Sequence, residues 1–158
     1  IDQIFRRGDI LRMNDRHMNN TRFSVPAVLR LLYGTGLRVS EALSIRNADV
    51  KFDKRYILIR KTKNGCERMV PINDGLFDVL QQYATYRDRV PVKHVGSPSS
   101  FFFIKSDGKY CNAQAIYKWF RLLLAECGIP YIGNHHGPRV HDLRYPNKKI
   151  IQTFLNIA

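Results

Sequence analysis

The segment from Tyr56 to Pro71 restricts the possible folds more than any other part of the chain. Tyr56-Ile57-Leu58-Ile59-Arg60 is rich in β-branched and aromatic residues, which is typical of a strand. The pair Asn64-Gly65 follows, and both residue types tolerate the positive φ that a type I′ turn requires. Arg68-Met69-Val70 forms the predicted return strand, which Pro71 ends. The sequence therefore predicts an antiparallel hairpin here.

Helical periodicity dominates the first third of the chain. Residues 1–22 predict one short helix followed by a polar connector from Asn14 to Thr21. A second helix is predicted from Val25, and we expect Gly34 and Gly36 to interrupt it before a third short helix begins. The apolar face of the second helix is formed by Val25, Val28, Leu29 and Leu32, and that of the third by Val39, Ala42 and Leu43.

The second half of the chain predicts two more helices and one short strand. Leu76, Val79, Leu80 and Tyr83 fall in helical register within Leu76–Tyr86. Asn112 is placed to cap a further helix, and Gly128 with Pro130 would end it. Phe101-Phe102-Phe103-Ile104 is predicted to form a short buried strand.

The predicted fold class is α+β, mainly α, with a small antiparallel β-sheet that consists of the hairpin and a possible third strand. A chain of 158 residues with 44% hydrophobic residues is long and apolar enough for one compact domain. No apolar run is long enough to cross a bilayer, so we expect no membrane partner. The three cysteines form no C-x-x-C pair, which favours a reducing, cytoplasmic location.

The charge balance points to a polyanionic partner. Lysine and arginine total 26 against 13 acidic residues, a formal net charge of +13. Phosphate contacts by such side chains release counterions, which makes nucleic acid the natural ligand. A basic protein with no affinity for DNA, or a ribosomal protein, would have the same composition, so charge alone does not separate these classes.

Three separated segments hold cations in positions that suggest chemistry. The first is "GTGLRVSEAL", in which Arg38 follows a glycine turn at the start of a helix. The second is "TKNGCERMVP", in which Lys63 stands beside the hairpin tip. The third is "RVHDLR", in which His141 and Arg144 are spaced to share a helix face. Each is weak alone, since a surface arginine, a solubilising edge lysine or a chance H-x-x-R would look the same.

Together and in this order, the three segments closely resemble the tyrosine recombinase (phage integrase) family. The resemblance covers roughly residues 23–144. It implies a helical catalytic domain with a small antiparallel sheet, and an enzyme that cuts and rejoins duplex DNA through a phosphotyrosine intermediate. It also implies the partners, duplex DNA and other recombinase protomers, and a setting in DNA integration by mobile elements. No metal or other cofactor is implied.

The resemblance assigns catalytic roles residue by residue. Arg38 and Arg144 match the two phosphate-binding arginines, Lys63 matches the hairpin lysine, and His141 matches the H-x-x-R histidine. Two guanidiniums clamping the phosphate would remove the need for a metal ion. The neighbouring cations expected to contact DNA are Lys61, Arg68 and Arg139.

No tyrosine in the chain matches the family nucleophile. After Arg144 the only tyrosine in the sequence is Tyr145, which Pro146 follows. No histidine or tryptophan occurs after Arg144. We therefore expect residues 1–158 to form one incomplete catalytic domain, without the N-terminal core-binding domain and the C-terminal tyrosine segment, and to be inactive alone. The alternatives are a non-catalytic DNA-binding remnant of an integrase, or a type IB topoisomerase, which the first segment fits less well.

Overall fold

The computed structural model describes residues 1–11, 20–60, 65–130 and 138–144, with Arg144 described by its backbone alone. Five α-helices lie within these ranges. They are α1 (Asp2–Ile10), α2 (Val25–Thr35), α3 (Val39–Leu43), α4 (Asp74–Arg87) and α5 (Ala113–Glu126). Short 3₁₀ turns span Asn47–Asp49 and Val140–Arg144. The polar connector predicted from Asn14 falls largely outside the described residues.

The predicted hairpin is confirmed. Strands β2 (Tyr56–Ile59) and β3 (Arg68–Pro71) pair antiparallel, with Ile57 opposite Val70 and Ile59 opposite Arg68. Gly65 adopts φ 73, the left-handed conformation that the turn prediction requires of it, whereas Asn64 lies outside the described residues. Because β3 is the edge strand of the sheet, Pro71 is tolerated there without the loss of a hydrogen bond within the sheet.

The third strand is not the segment that the sequence suggested. Strand β1 (Val50–Lys51) pairs with β2, and the sheet order is β1-β2-β3. Phe101 and Ile104 form only isolated bridges, to Arg46 and Tyr110. Successive strand residues point to opposite faces of a sheet, yet Phe102 and Phe103 are both buried, so this segment passes through the core as a connection.

The helices follow the predicted pattern with one correction. Gly34 does not interrupt α2, which continues to Thr35 and ends at Gly36 with φ 65. The predicted cap at Asn112 is confirmed, since its Oδ1 accepts the backbone N–H of Ala115 at 2.8 Å. Gly128 follows α5 with φ 69, as expected for a helix end.

A single core joins the helices to one face of the sheet. Helix α2 is central, because it packs against α1, α4 and the Val140–Arg144 turn. Buried polar groups in this core are paired: the Trp119 indole donates to Thr21, and the Tyr83 hydroxyl bonds Ser24 and the backbone N–H of Ile104. No helix within the described ranges is long and apolar enough to cross a membrane.

Candidate functional site

Local backbone geometry places Arg38 at the surface. Gly36 reverses the chain at the end of α2, and the next residue, Leu37, is fully buried and anchors the turn in the core. Arg38 then adopts an extended conformation, φ −72 and ψ 149, as the residue before α3. Its side chain is 43% exposed, so the guanidinium is accessible from solvent while its backbone is held by the fold.

A buried carboxylate joins Arg38 to the hairpin. Glu41 is 3% exposed, and its Oε2 accepts the backbone N–H of Arg38 at 2.8 Å. Its Oε1 accepts Arg38 Nη1 at 3.2 Å, and its Oε2 also accepts Arg68 Nη2 at 3.0 Å. Arg38 and Arg68 are 30 positions apart in the sequence, yet both bond one carboxylate. We call these three side chains the Glu41 bridge.

The other strand of the hairpin is held in the same way. Asp49 is buried, and its Oδ2 accepts the backbone N–H of Arg46 at 3.1 Å. Its Oδ1 accepts Arg60 Nε at 2.6 Å, directly after β2. The hydrogen bond to Asp49, with the attraction of its charge, raises the pKa of Arg60. Arg60 also bonds Glu67 across the hairpin at 3.1 Å. We call the Arg60–Asp49 pair the Asp49 bridge.

The two bridges share one local design. In each, an acidic residue is the third residue of a short helical segment, and its carboxylate accepts the backbone N–H of the residue before that segment. This is the arrangement in which a carboxylate caps a helix N-terminus. The second interaction of each carboxylate is with an arginine from one end of the hairpin. Both strands of the hairpin are therefore attached, at their turn ends, to the segment that runs from Arg38 to Asp49.

His141 is presented by the turn that the third motif forms. Val140 and Leu143 are 3% and 2% exposed and anchor the turn in the core, whereas His141 is exposed. Its imidazole stacks on Tyr117 of α5, with ring centroids 6.1 Å apart and planes at 23°. The turn packs against α2, the helix that leads to Arg38. The first and third motifs are thus brought to neighbouring elements.

Arg139 stands at the start of the same turn. Asp142 accepts its backbone N–H at 2.7 Å, and Arg139 Nη2 lies 3.7 Å from Asp142 Oδ1. The Arg139 side chain is half exposed. Its guanidinium is therefore held near the beginning of the turn that contains His141.

The predicted site residues divide into those within the described ranges and those outside them. Arg38 and Arg68 meet at the Glu41 bridge, and His141 lies on a turn that contacts α2. Lys61 and Lys63 lie outside the described residues, as does the side chain of Arg144. Among the described residues, no group of three or more His, Cys, Asp or Glu side chains is arranged to hold a metal ion.

The sequence interpretation did not assign a role to Glu41, Asp49 or Arg60. A helix-capping pattern was present in both cases, because each acid stands three positions after the residue that precedes its helix. The arginine partners could not be found this way, since they come from strands distant in sequence. Tyr117 was placed on a helix, but its stacking with His141 had no sequence signal.

A sequence model described as the phage integrase family matches residues 5–147, which is most of the chain. The chain belongs to the phage integrase family. A curated relative, the putative integrase/recombinase y4rB of Sinorhizobium fredii, is 34% identical over 115 residues, which cover 73% of this chain and 36% of that protein. The tyrosine recombinase XerC of Chlamydia caviae is 33% identical over 109 residues, covering 69% of this chain and 34% of that protein.

Solved structures of the family share this fold. The XerA recombinase matches 96% of this chain and 49% of its own, with a TM-score of 0.65 at 18% identity. The lambda integrase catalytic core matches 97% of this chain and 80% of its own, with a TM-score of 0.61 at 13% identity. The XerH recombinase, solved bound to its difH substrate, covers 96% of this chain and 43% of its own, with a TM-score of 0.65 at 19% identity. The chain spans about a third of the length of the two curated relatives.

The integrase fold in this chain agrees with the predicted class. A mainly helical domain with a small antiparallel sheet is what the motifs implied, and the structural relatives have the same catalytic-domain architecture. The family assignment made from three short motifs is confirmed by the match over residues 5–147. Members of this family, such as XerC and XerA, are tyrosine recombinases.

Proposed function

We propose that this chain is the phosphate-activating part of a DNA strand transferase that cuts and rejoins duplex DNA through a phosphotyrosine. The observation that carries the proposal is the Glu41 bridge. It fixes the backbone of Arg38, leaves the guanidinium accessible, and ties the turn end of β3 to the same carboxylate. In a family member, this is where a scissile phosphate would be bound.

The proposed chemistry follows from the residue types. Phosphoryl transfer requires stabilisation of charge on the non-bridging oxygens and a proton for the leaving oxygen. Arg38 and Arg144 would bind the non-bridging oxygens through planar N–H donors. A guanidinium has five donors, and the Glu41 contact uses only one of those on Arg38.

Proton transfer is assigned to two further residues. Lys63 would protonate the departing 5′ oxygen, and general acid catalysis of this kind contributes roughly 10²–10⁴ in rate. His141 would assist proton transfer at the nucleophile. Its stack on Tyr117 limits the orientations of the imidazole, which suits a group that must meet a reacting oxygen in one geometry.

Duplex DNA is the proposed substrate and other recombinase protomers are the proposed partners. Support comes from the net charge of +13 and from structural relatives solved with DNA, namely XerH with difH and the Tn1549 transposon integrase with a circular intermediate. A lambda integrase dimer bound to a core site has the same fold. Lys61 and Arg139 are proposed to contact the DNA backbone. Cys111 and Cys127 are free thiols, which suits the proposed cytoplasmic location.

The test is covalent trapping on a nicked duplex. The chain is extended in frame with the tyrosine-bearing C-terminal segment of an Xer relative, and covalent adducts are separated on a denaturing gel. We expect an adduct that Arg38→Gln abolishes. Arg55→Gln is the matched control, because Arg55 is half exposed and ion-paired to Asp74 at the far end of β2. Duplex binding without any adduct in the extended chain would favour the non-catalytic DNA-binding alternative.

A further inference from the structure

Arg68 has the geometry of a residue that acts through another residue. Its Nη2 bonds Glu41 Oε2 at 3.0 Å, and the same oxygen accepts the backbone N–H of Arg38. Arg68 is the first residue of β3, opposite Ile59, and it reaches α3 across 27 positions of sequence. The side chain of Arg68 joins the first residue of β3 to α3, whereas the next side chain, that of Met69, is 68% exposed.

The charges in the Glu41 bridge explain why two arginines are needed. A carboxylate that is 3% exposed has lost nearly all of its water and must be compensated by hydrogen bonds and positive charge. With both arginines in place, two guanidiniums share that role and the bridge has one positive charge in excess. Without Arg68, the Arg38 guanidinium would be the only charged partner that the described contacts give Glu41.

We propose that Arg68 is a positioning residue that compensates Glu41 so that the Arg38 guanidinium remains available to a DNA phosphate. The inference rests on the proposed function, in which Arg38 binds phosphate. It differs from the earlier expectation that Arg68 itself contacts DNA. The Asp49 bridge completes the arrangement, since it holds the other strand of the hairpin by the same kind of contact.

The two roles of Arg68 predict different results in duplex binding. The wild-type chain, Arg38→Gln, Arg68→Gln and the double variant are titrated with a short fluorescent duplex at several salt concentrations. Each phosphate contact contributes about 0.9 to the log–log salt slope. If Arg68 acts through Arg38, either single change lowers the slope by about 0.9 and the double variant lowers it by no more. Two independent contacts would lower it by about 1.8 and would overturn the proposal.

A suppressor variant separates positioning from a general structural role. Glu41→Gln removes the charge that draws Arg38 inward, so combining it with Arg68→Gln is expected to restore duplex affinity to within about threefold of wild type. Arg68→Gln alone is expected to lose about tenfold, the size of one hydrogen bond to a charged group. No restoration in the Arg68→Gln/Glu41→Gln double variant would also overturn the inference. Arg55→Gln measures how much of each loss comes from net charge alone.

Folding is checked for every variant by circular dichroism at the titration temperature. If Glu41→Gln does not fold, the comparison of Arg38→Gln with Arg68→Gln still decides the inference, because neither variant removes the buried carboxylate. If Arg38→Gln leaves both the affinity and the salt slope unchanged, the proposed function of Arg38 fails and the positioning role fails with it. A loss from Arg38→Gln with independent, additive losses from Arg68→Gln refutes the positioning role alone.

Discussion

Replacing Glu41 with alanine is expected to destabilise the domain although Glu41 forms no part of the apolar core. The substitution removes three hydrogen bonds, from the backbone N–H of Arg38, from Arg38 Nη1 and from Arg68 Nη2. The backbone contact has the strength of a helix cap, about 1 kcal/mol. The ion pairs are each expected to contribute about 0.5–1 kcal/mol, because the two arginine side chains are 43% and 48% exposed and solvent screens them. The expected loss is therefore about 2–3 kcal/mol.

Urea unfolding followed by circular dichroism measures this loss. With a slope of about 1–3 kcal/mol per molar urea, the midpoint for Glu41→Ala should fall by about 0.7–3 M. Glu41→Gln keeps one acceptor oxygen without the charge, so its loss should be about half as large. Glu67→Ala is the matched control, because Glu67 is 53% exposed and its ion pair with Arg60 lies at the surface. It should cost less than about 0.5 kcal/mol. Equal losses for Glu41→Ala and Glu67→Ala would show that the Glu41 bridge does not stabilise the fold.

Three further results are expected. The 158-residue chain should bind duplex DNA weakly, with little sequence preference and a steep salt dependence, because its net charge is +13; salt-independent binding, or none at low salt, would contradict this. The same polypeptide should form no covalent adduct with a nicked duplex, since none of its tyrosines matches the family nucleophile; an adduct that Tyr145→Phe abolishes would show that Tyr145 is the nucleophile. Burial raises the pKa of the Cys111 thiol from 9.0 to about 11. The stability that the protonated thiol contributes is therefore fully present below pH 9 and is lost as the pH rises towards 11. Over that interval the free energy of unfolding should fall less in Cys111→Ala than in wild type.

The hairpin and the long helices could be predicted because their signals are local. Positive φ at Gly65 and Gly128, and the cap at Asn112, depend on residues adjacent in the sequence and on the conformations those residues permit. The wrong prediction of a helix break at Gly34 also came from a local signal. A glycine lowers helix propensity, but α2 is packed on several sides, and the free energy of burying its apolar face exceeds the cost of about 1 kcal/mol for one glycine.

The third strand could not be predicted because composition alone does not decide which strand-like segment joins the sheet and which is buried in the core. Phe101–Ile104 has strand-like residues, but its two central phenylalanines are both needed in the core. Val50–Lys51 has too few residues for a periodicity to be visible, and it joins the sheet because the chain turns back immediately into β2. Local composition therefore indicated a third strand at the wrong place.

In the candidate site, too, local features could be predicted and long-range contacts could not. The sequence by itself determined the family and the position of Arg38 after a glycine turn at the start of a helix. Only the tertiary structure decided that Arg68 shares the carboxylate of Glu41, that Arg60 bonds Asp49, and that His141 stacks on Tyr117. The physical reason is that a cap is formed within three or four residues, whereas these contacts join segments about 11 to 27 residues apart, and their geometry is set by how the core packs the helices against the sheet.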